Sequence, residues 1–137
     1  MPSHHLMLAP DIAEIPRLLD WVETNCAASA VSSGIASKLA LALEEAAANV
    51  INHAFGGTQP PHRLAVTLTI DADRVTAEIT DNGKAFDPSA IPEPDCMLPL
   101  AARDPGGLGI HLIRKLMDRV DYRRLDGENR LRLERAR

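Results

Sequence analysis

The sequence predicts an α+β domain of two layers, a mainly antiparallel sheet with helices on one of its faces. Three observations lead there. The strand-like segments come in adjacent pairs joined by short polar turns, 64–70 with 74–80 and 120–125 with 129–134. The helical periodicities fall before and between these pairs instead of alternating with single strands, so a parallel sheet is disfavoured. The chain of 137 residues has no internal repeat and is the size of one domain, 1–137.

Taken in order, residues 6–9 suit a short first strand. Asp11 is placed to cap a helix running to about residue 28, in which Ile12, Ile15, Leu18, Leu19 and Val22 recur at helical spacing. Pro16 falls in its first turns, where proline is tolerated, and Trp21 is expected in the core. A second helix, rich in alanine and leucine, runs from Ser32 or Ser33 to about Ala54 and stops at Gly56-Gly57. The pair 64–70 and 74–80 alternates apolar and polar residues across an Asp71-Ala72-Asp73 turn. Segment 86–105 carries Pro88, Pro92, Pro94, Pro99 and Pro105, half of the chain's 10 prolines, and excludes a regular helix or central strand. A loop of that length within a small domain is usually functional or disordered. A third helix is expected from Leu108 to Asp118, with Ile110, Ile113, Leu116 and Met117 on its apolar side. The closing hairpin turns at Asp126-Gly127.

Composition narrows the function classes. Apolar residues make up 45% and charged residues 25%, ordinary for a globular protein, and aromatics only 3%, so the core is aliphatic. No apolar run nears the roughly 20 residues that span a bilayer. The start, MPSHHLMLAPD, lacks the basic flank and apolar stretch of a secretion signal. The 2 cysteines, Cys26 and Cys96, make no disulfide framework, and a cytoplasmic location with free thiols is expected. The net charge of −4 argues against a nucleic-acid-binding domain. The C-terminal third is locally basic without interleaved aromatics, as in a solvated or protein-docking face.

Three elements can carry chemistry. Glu45 and Asn49 stand four apart, on one face of the second helix. Leu39, Leu41, Ala42, Leu43, Ala46, Ala47 and Val50 surround that stripe, and buried polar groups need partners. The stripe is either a solvated strip or a carboxylate and carboxamide able to hold hydrated Mg²⁺, which takes few protein ligands. Asp81-Asn82-Gly83-Lys84-Ala85 follows a strand and reads either as a turn or as an acceptor carboxylate for a base's exocyclic amine. Gly106-Gly107-Leu108-Gly109 precedes a helix whose free N–H groups suit phosphate. The Gly-x-x-x-x-Gly-Lys-Ser/Thr phosphate loop is absent.

In combination, Glu45-x-x-x-Asn49-x-x-x-His53, Asp81-x-Gly83, a long loop and Gly107-x-Gly109 resemble the GHKL, or Bergerat-fold, ATPases. The resemblance runs from the first helix to the last strand. The chain has no room for the dimerisation helices of a histidine kinase, and its short form looks like the anti-sigma-factor serine kinases of bacteria. The fold so implied is a two-layer sandwich, a mainly antiparallel mixed sheet under three helices, with an ATP lid at about 86–105.

The same resemblance implies residue roles. Glu45 would act as general base and Asn49 would ligate Mg²⁺. His53 stands where the family carries a basic residue near the phosphates. Asp81 would accept from the adenine amine, with Gly83 giving the base room and Ala85 in place of a second loop glycine. Gly107, Leu108 and Gly109 would lie against the phosphates, and Arg103 would reach them from the lid. Relatives often have threonine after an asparagine in the last strand; here Arg130 follows Asn129.

The implied function is an ATP- and Mg²⁺-dependent serine-protein kinase. It would phosphorylate a STAS-domain anti-anti-sigma protein and sequester a sigma factor or similar regulator. Relatives often form homodimers, and neither nucleic acid nor membrane is an implied partner. Two alternatives differ in class: an ATP-binding partner-switching module with little or no kinase activity, and an interaction domain with a degenerate nucleotide site.

Overall fold

The computed structural model describes residues 3–88 and 105–137. Strand β1 (Ser3–Leu8) begins earlier than residue 6, because its first residues pair with β2 in register from Ser3 opposite Thr69 to Leu8 opposite Leu64. Asp11 caps the next turn, its side chain accepting from the Ala13 N–H at 2.9 Å. A 3-10 turn (Ile12–Glu14) leads into α1 (Ile15–Ala28), with Pro16 in its first turn. The lone Trp21, expected in the core, is half-buried and packs at its margin.

Helix α2 (Ser33–His53) starts at Ser32, whose hydroxyl accepts from the Ile35 N–H, and ends before Gly57, which takes a left-handed φ of 77°. Strands β2 (Leu64–Ile70) and β3 (Arg74–Asp81) form the first hairpin. Helix α3 (Pro105–Leu116) precedes β4 (Arg119–Leu125) and β5 (Glu128–Ala136). In the second hairpin Leu125 pairs with Glu128 across Asp126 (φ 53°) and Gly127 (φ 77°), the two-residue turn that matches strand twist.

The five strands form one sheet in the order β1-β2-β3-β5-β4, and all four pairings are antiparallel. Leu64, Val66, Leu68, Val75, Ala77, Ile79, Leu131 and Leu133 meet Leu18, Val22, Leu39, Leu43, Val50, Ile110 and Ile113 in one aliphatic core. The alternation that buries these residues turns the others outward. Thr67, Thr69, Thr76, Glu78, Arg132 and Glu134 line the sheet's open face, as antiparallel sheets allow. Much of the basic C-terminal third is paired with acids there, as in Arg132–Glu134 at 3.1 Å and Arg119–Asp121 at 2.7 Å. Such exposed pairs contribute little stability each. No helix among the described residues is long and apolar enough to cross a membrane.

Candidate functional site

Burial of α2 between its neighbours decides where its polar stripe points. Ala42, Leu43, Ala46, Ala47 and Val50 are buried, while Glu45 and Asn49 are half-buried. The stripe faces α3. A Cβ built on Gly109 would stand 3.1 Å from Glu45 Oε2 and 3.4 Å from Asn49 Nδ2. Helix α3 begins at Pro105 instead of Leu108, so Gly106, Gly107 and Gly109 lie inside its first turns and not ahead of them. Proline is favoured at that first position, where no N–H is needed. Gly109 thus brings a helix, near its positive end, into direct apposition with a carboxylate and a carboxamide.

The second element is set by the sheet. Asp81 ends β3, opposite Asn129 on β5, and is only 3% exposed. Its Oδ1 accepts from the Gly83 N–H at 2.9 Å and from Asn129 Nδ2 at 2.9 Å. Burial pushes the Asp81 carboxyl above its usual range, against the opposing effect of the Asn129 and Gly83 hydrogen bonds and of the Arg124 charge. Gly83 has a packing reason as well as the expected one. A Cβ there would collide with the Ala54 carbonyl oxygen and come within 2.7 Å of its carbon. The loop is drawn onto the end of α2, where the Lys84 N–H donates to the same carbonyl at 2.8 Å.

These elements share a cleft of about 340 Å³, lined by Asp81, Asn129 and Asn49 and walled by Val50, Ile79, Phe86, Tyr122 and Leu131. Apolar walls with a few polar groups are the usual make-up of a small-ligand site. His53 is exposed, outside the cleft lining, and stacks on Phe86 with ring centroids 6.0 Å apart. Ala85 is exposed in the loop after β3. Gly107 and Leu108 belong to the first turn of α3. Arg103 and most of the expected lid, 89–104, lie outside the described residues.

Sequence reasoning passed over three residues. The neighbour of Asp81 is Asn129 itself, while Arg130 turns to the other sheet face and pairs with Glu128 at 3.2 Å. Tyr122 and Arg124, from β4, both donate to Asn129 Oδ1, at 2.6 and 3.0 Å. The available signal was the Asp126-Gly127 turn, whose two-residue length sets Arg124 opposite Asn129.

The donor set suits Mg²⁺. Among the described residues no three His, Cys, Asp or Glu side chains cluster, so a divalent ion would take most of its ligands from water and phosphate. Asn49 Nδ2 is buried with no hydrogen-bond partner among the described residues. A buried amide in that state is completed by a ligand, or by turning its oxygen to a cation.

Comparison with known proteins supplies the remaining context. The profile of the histidine kinase-like ATPase domain matches residues 8–135. The serine/threonine-protein kinase BtrW of Bordetella bronchiseptica is 36% identical over 117 residues, which cover 84% of this chain and 80% of that protein. The serine-protein kinase RsbW of Halalkalibacterium halodurans is 33% identical over 111 residues, 69% of this chain but only 65% of that one. Among solved structures, the RsbU and RsbW domains of a Mycobacterium tuberculosis protein superpose with a TM-score of 0.71 at 14% identity, over 100% of this chain and 33% of theirs. The mycobacterial sensor histidine kinase MprB superposes at 0.53 with 17% identity, covering 97% of each chain. These two likenesses are of fold.

Proposed function

Because the chain belongs to the histidine kinase-like ATPase domain family, we propose that it binds ATP with Mg²⁺ in the α2–sheet cleft and phosphorylates a serine of a protein partner. The observation that carries this reading is the apposition of Glu45 and Asn49 to Gly109, in a chain whose Asp81 lines the same cleft as Asn49. The relatives named a serine/threonine-protein kinase, at 36% identity, and a serine-protein kinase, at 33%, support a hydroxyl acceptor on a protein.

Phosphoryl transfer asks a protein mainly for positioning and charge neutralisation. Bound Mg²⁺ supplies the neutralisation of phosphate charge, and Asn49 is the side chain that would hold it. Glu45, half-buried one turn away, orients the serine hydroxyl and takes its proton. The first-turn N–H groups of α3 point a positive helix end at the phosphates. Asp81, with Oδ1 occupied by two donors, presents an acceptor to the base amine.

The acceptor on this reading is a STAS-domain anti-anti-sigma protein, and a sigma factor or similar regulator is the partner held in the alternative state. Incubation with γ-labelled ATP, Mg²⁺ and the cognate STAS protein tests it. Label on a serine of that protein is the expected result; ATP binding without transfer would reject the kinase reading.

A further inference from the structure

Resting on the nucleotide reading above, we propose that Asn129, clamped by Tyr122 and Arg124, is the positioning residue that makes Asp81 read an amino group and reject an oxo group on a purine.

The geometry of one carboxamide carries the argument. Asn129 is 4% exposed. Its Oδ1 receives the Tyr122 hydroxyl at 2.6 Å, an Arg124 guanidinium N–H at 3.0 Å and the Phe86 N–H at 3.3 Å. Its Nδ2 donates to the Lys84 carbonyl at 2.7 Å and to Asp81 Oδ1 at 2.9 Å. Arginine and a backbone N–H only donate, and a backbone carbonyl only accepts, so the amide has one orientation. A flipped amide would set N–H against N–H and carbonyl against carbonyl. The donor aimed at Asp81 is therefore held by partners on β4 and on the loop after β3.

That donor acts on Asp81 in two ways. Together with the Gly83 N–H it occupies Oδ1, which fixes the carboxylate plane and leaves Oδ2 as the oxygen available to a ligand. It also favours the ionised carboxylate, in a site where burial favours the protonated one. An ionised carboxylate accepts and cannot donate. It matches the exocyclic amine of adenine and repels the C6 oxygen of hypoxanthine or guanine. A protonated Asp81 could donate to that oxygen, and the distinction would fade. Asn129 touches Asp81, so its effect on the base passes through that residue.

The test is the ratio of affinities for ATP and ITP, which differ in the amine or oxo group at C6. Both are measured with Mg²⁺ by competition against a fluorescent ATP analogue, for the wild-type chain, Asn129→Leu, Asn129→Thr and Tyr122→Phe. Thermal unfolding of each variant reports its fold. Asn129→Leu is expected to lower the ATP-over-ITP ratio about tenfold, the size of one well-placed hydrogen bond to a charged group. Tyr122→Phe, which removes one clamp and keeps the ring, is expected to lower it roughly twofold to fivefold. Asn129→Thr keeps a donor for Asp81 and is expected to recover part of the loss. Equal weakening of both nucleotides, or an unchanged ratio in folded variants, would overturn the assignment and leave Asn129 a structural residue. If Asn129→Leu fails to fold, Tyr122→Phe decides alone. A wild-type chain that binds neither nucleotide refutes the nucleotide reading itself, which is a separate outcome from an unchanged ratio.

Discussion

Gly109 of α3 lies so close to Glu45 of α2 that a methyl group on the glycine would stand 3.1 Å from the glutamate's Oε2. The atom crowded is the far end of a flexible side chain, so the glutamate can yield by a few tenths of an ångström. Gly109→Ala is therefore expected to keep the fold, and even to gain up to about 1 kcal/mol from helix propensity. With the carboxylate displaced from the proposed hydroxyl site, the variant is expected to transfer phosphate from ATP to serine at least ~10-fold more slowly. Urea unfolding and single-turnover transfer, measured together, check it; a destabilised variant with full activity contradicts it.

Glu45→Gln keeps the shape and removes the base. Transfer to the partner's serine is expected to fall by roughly 10²–10⁴, the usual contribution of a general base. ATP affinity is expected to stay within about twofold, because the role proposed for Glu45 is on the hydroxyl side. Calorimetry beside a labelled-transfer assay separates the two, and a parallel loss of binding would assign Glu45 to nucleotide holding.

Gly83→Ala is the opposite of Gly109→Ala. Its methyl meets backbone, the carbonyl of Ala54, which cannot step aside without moving the end of α2. A loss of about 1–3 kcal/mol is expected, as for overpacked sites generally. The chemical denaturation midpoint reads it directly, and a neutral result would mean that the loop and α2 can separate cheaply.

Asp81→Asn is expected to stabilise the chain while abolishing ATP binding. Burial raises the Asp81 carboxyl above its ordinary 3.8. The folding stability tied to such a group is complete below 3.8 and is lost as pH rises through the raised value. The asparagine variant escapes that loss, so it should match wild type in acid and exceed it near neutrality. The gap amounts to about 1.4 kcal/mol for each pH unit of the raise. Denaturation midpoints at two pH values give the difference; a variant weaker than wild type at neutral pH would refute it.

Cys26 is fully buried, and desolvation raises its thiol, with the Arg137 charge opposing. Thiol reagents are expected to leave it unmodified in the native protein and to reach it on unfolding, because the reactive form is the exposed thiolate. Peptide mapping after labelling identifies the site.

Much of this was legible in the residues, for identifiable reasons. Alternation of apolar and polar residues placed β2 at Leu64–Ile70, where it is found. The Ser32 cap and the Gly56-Gly57 stop bounded α2 within a residue of its observed ends. Glu45 and Asn49 stood out because a polar pair amid alanine and leucine needs a partner. Helix α3 was read late because glycines at 106, 107 and 109 look like loop, whereas Gly109 lies inside the helix where it passes close to Glu45. In the sequence Asn129 is only the residue before Arg130 in the last strand, with no role of its own. Its role depends on Asp81, 48 residues away, and only the strand pairing brings the two together.

The Asp126–Gly127 turn lies beyond the cleft and lines none of it. Its two-residue length nonetheless acts as a gauge for the chemistry inside. It sets Arg124 opposite Asn129 and Tyr122 opposite Leu131, so a shift of one position between β4 and β5 would turn both donors away from the Asn129 carboxamide. The amide that faces Asp81 would lose the partners that fix its orientation. An insertion in that hairpin would thus rewrite the pocket while every residue lining it kept its identity.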